Sequence, residues 1–305
     1  MSLVERALKK LQESRATPDD ASPSESRRVA ASVQYVTART DPPTAPIVEL
    51  APKVEAPTRI VVVDRAALRS MQLLPPVNLE RQIASQYQQV KRPLIASALG
   101  KNGGAGKSQA IMMASALPGE GKTFTSINLA LSMALEKDTE VLLVDADVAK
   151  PHLTKIFGMQ GERGLLDLLT DSSLRPESAI LRTDIPGLSL LPAGKQTDTA
   201  TELIASERMS HIVQQLAASD SRRIILFDSP PLLLSTESRA LVPAVGQVVL
   251  VVRAEITPRR AVQDALDMIG ENTPASLILN QSSVPASEGY YGYGTYGEDA
   301  SKSNS

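Results

Sequence analysis

The stretch Ser115–Thr123 reads SALPGEGKT, and its residue types suit one task, the holding of a chain of phosphates. Gly119 and Gly121 allow a tight turn that aims backbone N–H groups at anionic oxygens. The residues that follow open an expected helix, whose N-terminus adds a favourable dipole. Lys122 supplies a point charge for β- and γ-phosphates, and the Thr123 hydroxyl suits a Mg²⁺ ligand. Pro118, Gly119, Glu120, Gly121, Lys122, Thr123 and Phe124 are therefore the expected nucleotide contacts, with ATP and Mg²⁺ as cofactors. The usual pattern GxxxxGK[ST] begins with glycine, and here Ala116 takes that place. A second match, Lys101–Ser108 (KNGGAGKS), fails on context. The next strand is expected at Ala110, which leaves no room for the required helix, so the segment reads as a flexible loop.

Three aspartates close apolar runs downstream. Glu140–Asp147 reads EVLLVDAD and ends on Asp145 and Asp147; residues at that spacing share a face of a strand, although here the chain is turning. Arg223–Pro231 reads RIILFDSPP and carries Asp228. A single strand-end aspartate is more often a helix cap than a catalyst. Three of them beside a phosphate loop suit Mg²⁺-dependent phosphoryl transfer, in which carboxylates hold the metal against phosphate oxygens or deprotonate an attacking group.

Such groups need a frame that gathers them at one edge. From Ala110 onward the apolar runs IMMASA, EVLLVD, LSLLPA, RIILFD, QVVLVV and SLILN alternate with helical stretches. Alternation of this kind predicts an α/β fold with a mainly parallel sheet covered by helices on both faces, and ligands at the carboxyl ends of its strands. After the phosphate loop, Phe124, Ile127, Leu131 and Ala134 are the expected apolar face of a helix. The main domain is expected over 110–284. Before it, 58–109 is a lead-in with a strand over Arg59–Asp64, a helix over Leu79–Val90 and the flexible loop. Residues 15–57 are rich in Pro, Ser, Thr and Ala and read as a disordered tether. Residues 1–14 contain LVERALKKLQES, in which Val4, Leu8 and Leu11 recur at helical spacing. This amphipathic helix is either frayed or docks on a partner or membrane. Residues 285–305 form a flexible tail.

Composition narrows the class. The chain has 305 residues, 32 Lys+Arg against 34 Asp+Glu, a net charge of −2, no cysteine, and two histidines, His152 and His211. The charge balance gives no global attraction to nucleic acid. Without cysteine, disulfides, thiol catalysis and thiolate zinc sites are excluded. No apolar run approaches the ~20 residues of a membrane span, and the N-terminus lacks a signal peptide's apolar core. The expectation is a cytoplasmic protein.

In their order, these motifs resemble the bacterial tyrosine kinases (BY-kinases) of exopolysaccharide and capsule synthesis, most closely the stand-alone exosortase-associated tyrosine autokinases. The likeness runs from about Leu79 to Tyr296. It includes ALPGEGKT, VLLVDAD, the stretch 190–206 (LLPAGK…ATELIAS), FDSPPLL, QVVLVVRAEIT and LILNQ. It implies a P-loop NTPase fold with the deviant Walker A loop of the ParA/MinD-like superfamily, and ATP-dependent protein-tyrosine autokinase activity that regulates exopolysaccharide polymerisation and export. By the same resemblance Lys122, Asp145 and Asp147 are catalytic, with Asp145 as the base that activates the tyrosine. Thr123, Asp147 and Asp228 form the Mg²⁺ shell. Asn280 matches a position that faces adenine, although alone it is equally a turn residue. The resemblance also implies an activating partner, the cytoplasmic segment of a membrane polysaccharide chain-length regulator, which would recruit the chain to the inner face of the membrane.

Four of the six tyrosines, Tyr290, Tyr291, Tyr293 and Tyr296, lie in GYYGYGTYG. Alone this is as much an aromatic binding tail as anything else. Beside a kinase-like domain it reads as the phosphoacceptor segment, modified in a self-associated neighbour. Two departures from the family stand out. Its ExxRxxR ring-assembly pattern is replaced at Ser85, Gln88 and Lys91, and its arginines before proline by Ala149 and Lys150. The competing readings are a ParA/MinD-like switch ATPase and a nucleotide-gated scaffold. The switch ATPases usually carry a lysine where this chain has Leu117.

Overall fold

Short runs of aliphatic residues that are apolar on both sides can be satisfied only inside a sheet covered on both faces, and the computed structural model shows such a sheet. It describes residues 60–100 and 107–282. The expected terminal helix, the tether and the tyrosine-rich tail lie outside the described residues, as does most of the KNGGAGKS segment.

The described chain begins with β1 (Ile60–Val61), α1 (Arg65–Ser70) and α2 (Glu80–Leu99), then β2 (Ala110–Ser115) and α3 (Lys122–Ala134). There follow β3 (Glu140–Asp145), α4 (His152–Ile156), α5 (Leu165–Thr170), β4 (Leu181–Thr183) and β5 (Leu188–Leu191). The rest is α6 (Ala200–Ile204), α7 (Glu207–Ala218), β6 (Arg223–Asp228), α8 (Thr236–Leu241), β7 (Gln247–Arg253), α9 (Arg259–Ile269) and β8 (Ala275–Asn280). The eight strands form one sheet in the order β1-β4-β5-β3-β6-β2-β7-β8. Every pairing is parallel except β4 with β5.

Side-chain alternation divides the core in two. Ala110, Met112 and Ala114 of β2 join a cluster with Leu166, Ile212 and Ala265 on one face. Ile111 and Met113 join Leu94, Ile127 and Met133 on the other, under α2 and α3. The period-two pattern thus reads directly as two helical layers. The six expected strands of the main domain correspond to β2, β3, β5, β6, β7 and β8. Among the described residues no helix is long and apolar enough to cross a membrane.

The lead-in differs from its sequence reading. The expected strand over Arg59–Asp64 stops at Val61, because Asp64 turns to cap α1, accepting hydrogen bonds from the Ala66 and Ala67 N–H groups at 2.9 and 3.0 Å. The helix expected over Leu79–Val90 runs on to Leu99, through Pro93. Lys91 explains how it docks. Its side chain is 1% exposed, and its ammonium donates to the Ser132 carbonyl at 2.7 Å and pairs with Glu136 at 2.8 Å. The third position of the degenerate ring pattern is therefore spent inside the fold, fastening α2 to the end of α3. After Lys107–Gln109, a single 3-10 turn, the chain enters β2 at Ala110, so no helix follows the KNGGAGKS segment.

Candidate active site

The carboxyl ends of β2, β3 and β6 lie side by side in the sheet, and Asp145 and Asp228 are register partners across β3 and β6. The loop from Ala116 to Gly121 leaves β2 and turns into α3 through two glycines with positive φ, Gly119 at 79° and Gly121 at 87°. A Cβ at Gly119 would meet nothing within 4 Å, so that side of the loop is open. A Cβ at Gly121 would be driven into the amide nitrogen of Asn280. The first N–H groups of α3 have no intrahelical partners, and the residues that carry them, Lys122, Thr123 and Phe124, line the adjoining cavity.

Glu120 shapes the loop from beneath. Its carboxylate is buried and accepts hydrogen bonds from the Leu117 N–H at 2.8 Å and from the Thr257 hydroxyl. Its carbonyl accepts from the Asn280 amide at 2.9 Å. The loop is thus tied to the β7–α9 turn and to the end of β8, and the Glu120 side chain faces the protein. Leu117, at the position where the switch ATPases carry lysine, packs against the core.

Asp228 gathers three side chains from the start of α3. One oxygen accepts from the Thr123 hydroxyl at 2.8 Å, and the other from Ser126 Oγ at 2.8 Å, with Lys122 Nζ at 3.8 Å from it. Ser126 was not singled out from the sequence, although it lies one helical turn after Thr123, a spacing that places both on one face. Asp147 is half-buried and accepts from the Lys150 N–H at 3.1 Å. Burial raises its pKa, against the opposing pull of that hydrogen bond and of Lys122.

Asp145 is the most perturbed carboxyl of the group. It is 1% exposed. Its Oδ2 accepts from both the backbone N–H and the hydroxyl of Thr154, each at 2.7 Å. Its Oδ1 is closed to solvent and has no hydrogen-bond partner among the described residues. Burial pushes its pKa up to about 7, with Asp228 and Asp147 adding like-charge repulsion. Buried carboxylate oxygens without a partner are rare in folded proteins.

The loop and Asn280 line one cavity of about 1030 Å³; none of the three aspartates lines it, and Asp228 is joined to its wall through the Thr123 hydroxyl. Gly119–Phe124 and Pro118 form one wall, Tyr87 and Gln86 of α2 another, and Asn280 a third. The donor set fits a magnesium nucleotide: open backbone N–H groups, a lysine, a helix hydroxyl and carboxylates. Among the described residues no three His, Cys, Asp or Glu side chains could hold a metal by themselves.

The site meets its relatives at this point. A family model described as an AAA domain matches residues 101–274, more than half of the chain. The putative tyrosine-protein kinase EpsB of Ralstonia nicotianae is 31% identical over 186 residues, 61% of this chain and 24% of that protein. The chain thus spans about a quarter of the length of that relative. Tyrosine-protein kinase YwqD of Bacillus subtilis is 28% identical over 61% of this chain and 78% of its own length. Among solved structures, the VpsO kinase domain superposes with a TM-score of 0.55 at 29% identity, covering 67% of this chain and 98% of that domain. The kinase domain of the Escherichia coli tyrosine kinase ETK gives 0.55 at 23% identity, over 68% of this chain and 80% of its own, and shows the shared fold. The chain belongs to the AAA domain family, has the P-loop NTPase fold, and has the bacterial tyrosine-protein kinases among its relatives.

Proposed function

We propose that this chain is an ATP-dependent protein-tyrosine autokinase whose acceptors are Tyr290, Tyr291, Tyr293 and Tyr296 of a neighbouring copy. The observation that carries the reading is the convergence of Lys122, Thr123 and Asp228 at the phosphate loop beside Asp145, whose Oδ1 is buried without a partner. ATP is the phosphoryl donor, held by the Pro118–Phe124 loop with its base toward Asn280. Thr123, Asp147 and Asp228 would hold Mg²⁺, which supplies charge neutralisation of the phosphates.

In the transfer, the tyrosine oxygen forms a bond to the γ-phosphorus, the bond to the β–γ bridging oxygen breaks, and ADP leaves. The phenolic proton passes to Asp145. A phenol with a pKa near ~10 needs such a base. Oδ2 is occupied by Thr154, so Oδ1 is the receiving atom, and because it is closed to solvent its cover must shift before the acceptor arrives. Lys122 stabilises the charge developing on the transferred group. That need for opening suits activation by a partner, and the proposed role is regulation of polysaccharide export, as the resemblance implies. The proposed activator is the cytoplasmic segment of a membrane chain-length regulator, which would also bring the chain to the membrane.

The test is incubation of the purified protein with MgATP, with and without the activator segment, followed by mapping of phosphate by mass spectrometry. Lys122→Met and a variant with all four tail tyrosines changed to Phe run alongside. Tail phosphotyrosine that disappears with Lys122→Met supports the kinase. ATP hydrolysis without phosphotyrosine under either condition would instead establish a switch ATPase.

A further inference from the structure

Thr154 sits nine residues after Asp145, on the short helix α4, and the sequence offers no motif that singles it out. In the fold it makes three bonds beside Asp145. Its N–H belongs to the first turn of α4 and lacks an intrahelical partner, so it is free to bond outward, and it donates to Asp145 Oδ2 at 2.7 Å. Its hydroxyl oxygen accepts from the Ala193 N–H at 3.0 Å. A hydroxyl has a single proton, and with Ala193 donating to the oxygen that proton is directed at Asp145 Oδ2, also at 2.7 Å.

Ala193 is itself held in place. It lies two residues beyond β5, and its carbonyl accepts from the Leu166 N–H of α5 at 2.9 Å. Close by, the Gln196 amide donates to the carbonyls of Val148 and Ala149 at 3.2 and 3.1 Å, and Lys195 N–H donates to Asp167 at 3.1 Å. The segment after β5 therefore straps the aspartate loop, and Thr154 is the link by which the strap reaches the Asp145 carboxylate.

We propose that Thr154 is a positioning residue for tyrosine phosphorylation, which saturates Asp145 Oδ2 with two donors, fixes the carboxylate plane and leaves Oδ1 as the working oxygen. This inference rests on Asp145 being the base. A carboxylate held by one donor instead of two can rotate about χ2, and displacement of a reacting atom by about 1 Å costs on the order of 10²-fold in rate. Thr154→Val keeps the side-chain shape and the backbone N–H bond and removes only the hydroxyl. Thr154→Ser restores the hydroxyl without the methyl group.

The experiment measures kcat for tail-tyrosine phosphorylation and KM for ATP in the full chain. The variants are Thr154→Val, Thr154→Ser, Asp145→Asn and the double variant Asp145→Asn with Thr154→Val. Thr154→Val is expected to lower kcat at least about 10-fold with KM for ATP within about 2-fold, and Thr154→Ser to recover to within about 3-fold of the parent. In the Asp145→Asn background Thr154→Val is expected to add nothing, because it acts through that carboxylate. Unchanged kcat in Thr154→Val, equal damage by Val and Ser, or full additivity with Asp145→Asn would overturn the inference. Should Thr154→Val fail to fold, Thr154→Ala, which adds no bulk, carries the same comparison. If Asp145→Asn keeps full transfer activity, the base assignment itself fails. If Asp145→Asn is inactive while Thr154→Val is active, only the role of Thr154 fails.

Discussion

Replacing Asp145 by asparagine should remove a loss of stability that grows between pH 5 and pH 7, while strongly lowering transfer. The buried carboxyl has its pKa raised from 3.8 to about 7. Between those values the unfolded chain has released this proton and the folded chain has kept it. The slope of unfolding free energy with pH is therefore negative, about 1.4 kcal/mol per unit. From pH 5 to pH 7 Asp145 should thus withdraw about 2–3 kcal/mol of stability, and above pH 7 the loss levels off. Asparagine carries no such titration. Its carbonyl can take the place of Oδ2 under the two Thr154 donors, while its NH₂ stands unpaired where Oδ1 was, at a pH-independent cost of about 1–3 kcal/mol.

The quantity to read is therefore the difference in Tm between Asp145→Asn and the parent as a function of pH, in EDTA and without nucleotide. For a domain of this size about 2–4 °C corresponds to 1 kcal/mol. The difference should move in favour of the variant by roughly 5–10 °C between pH 5 and pH 7, by the same arithmetic. A difference independent of pH would refute the reasoning, because it would mean that Asp145 is ionised throughout.

Three further predictions follow from other contacts. Gly121→Ala should cost about 2–3 kcal/mol, from positive-φ strain plus collision with Asn280, and Asn280→Ala should relieve the collision but not the strain. A double-mutant cycle read by urea unfolding should show coupling, and additivity within about 0.5 kcal/mol would count against it. Lys91→Met should cost about 1–3 kcal/mol, because it leaves the Ser132 carbonyl without its ammonium, whereas Glu136→Gln should cost less since that carboxylate reaches solvent. Equal losses in thermal melts would mean that the ion pair, and not the buried bond, fastens α2. Asp228→Asn should weaken MgATP binding at least about 10-fold in calorimetry while leaving metal-free ATP within about 3-fold. Parallel losses would remove Asp228 from the metal shell.

What could be read from the sequence was what is local in it. The phosphate loop, the strand-end aspartates and six strands announce themselves within windows of six to nine residues, because glycine placement and aliphatic runs are properties of contiguous chain. The lead-in misread its own punctuation: Asp64 looked like the end of a strand and is the cap of α1. Lys91 stood out only as the third position of the replaced ring pattern and is buried, because nothing local announces that the end of α3 will offer it a carbonyl. Glu120 lines the cavity as its place in the loop suggests, but that its carboxylate turns inward to Leu117 and Thr257, a partner 137 residues away, is not local information. Thr154 was invisible for the same reason, since its importance depends on Ala193 arriving from the far side of β5. β4 was missed because three residues in an antiparallel pairing carry too short a pattern to separate from a loop.

The sheet order has a consequence for how the chain must be made. β2, the strand that launches the phosphate loop, lies between β6 and β7, and its hydrogen-bonding partners are encoded more than 100 residues later. At synthesis rates of about 5–20 residues per second, the AIMMAS strand waits roughly 5–20 s with both edges unpaired. Its six residues are all buried in the finished fold and are uncharged, a composition prone to pair with the wrong edge. A chain arrested before residue 223 should accordingly bind ANS and aggregate, whereas one extended through β8 should not, and a soluble, dye-silent arrested chain would argue against this order of events. The nucleotide loop, translated early, is thus among the last parts of the site to take shape.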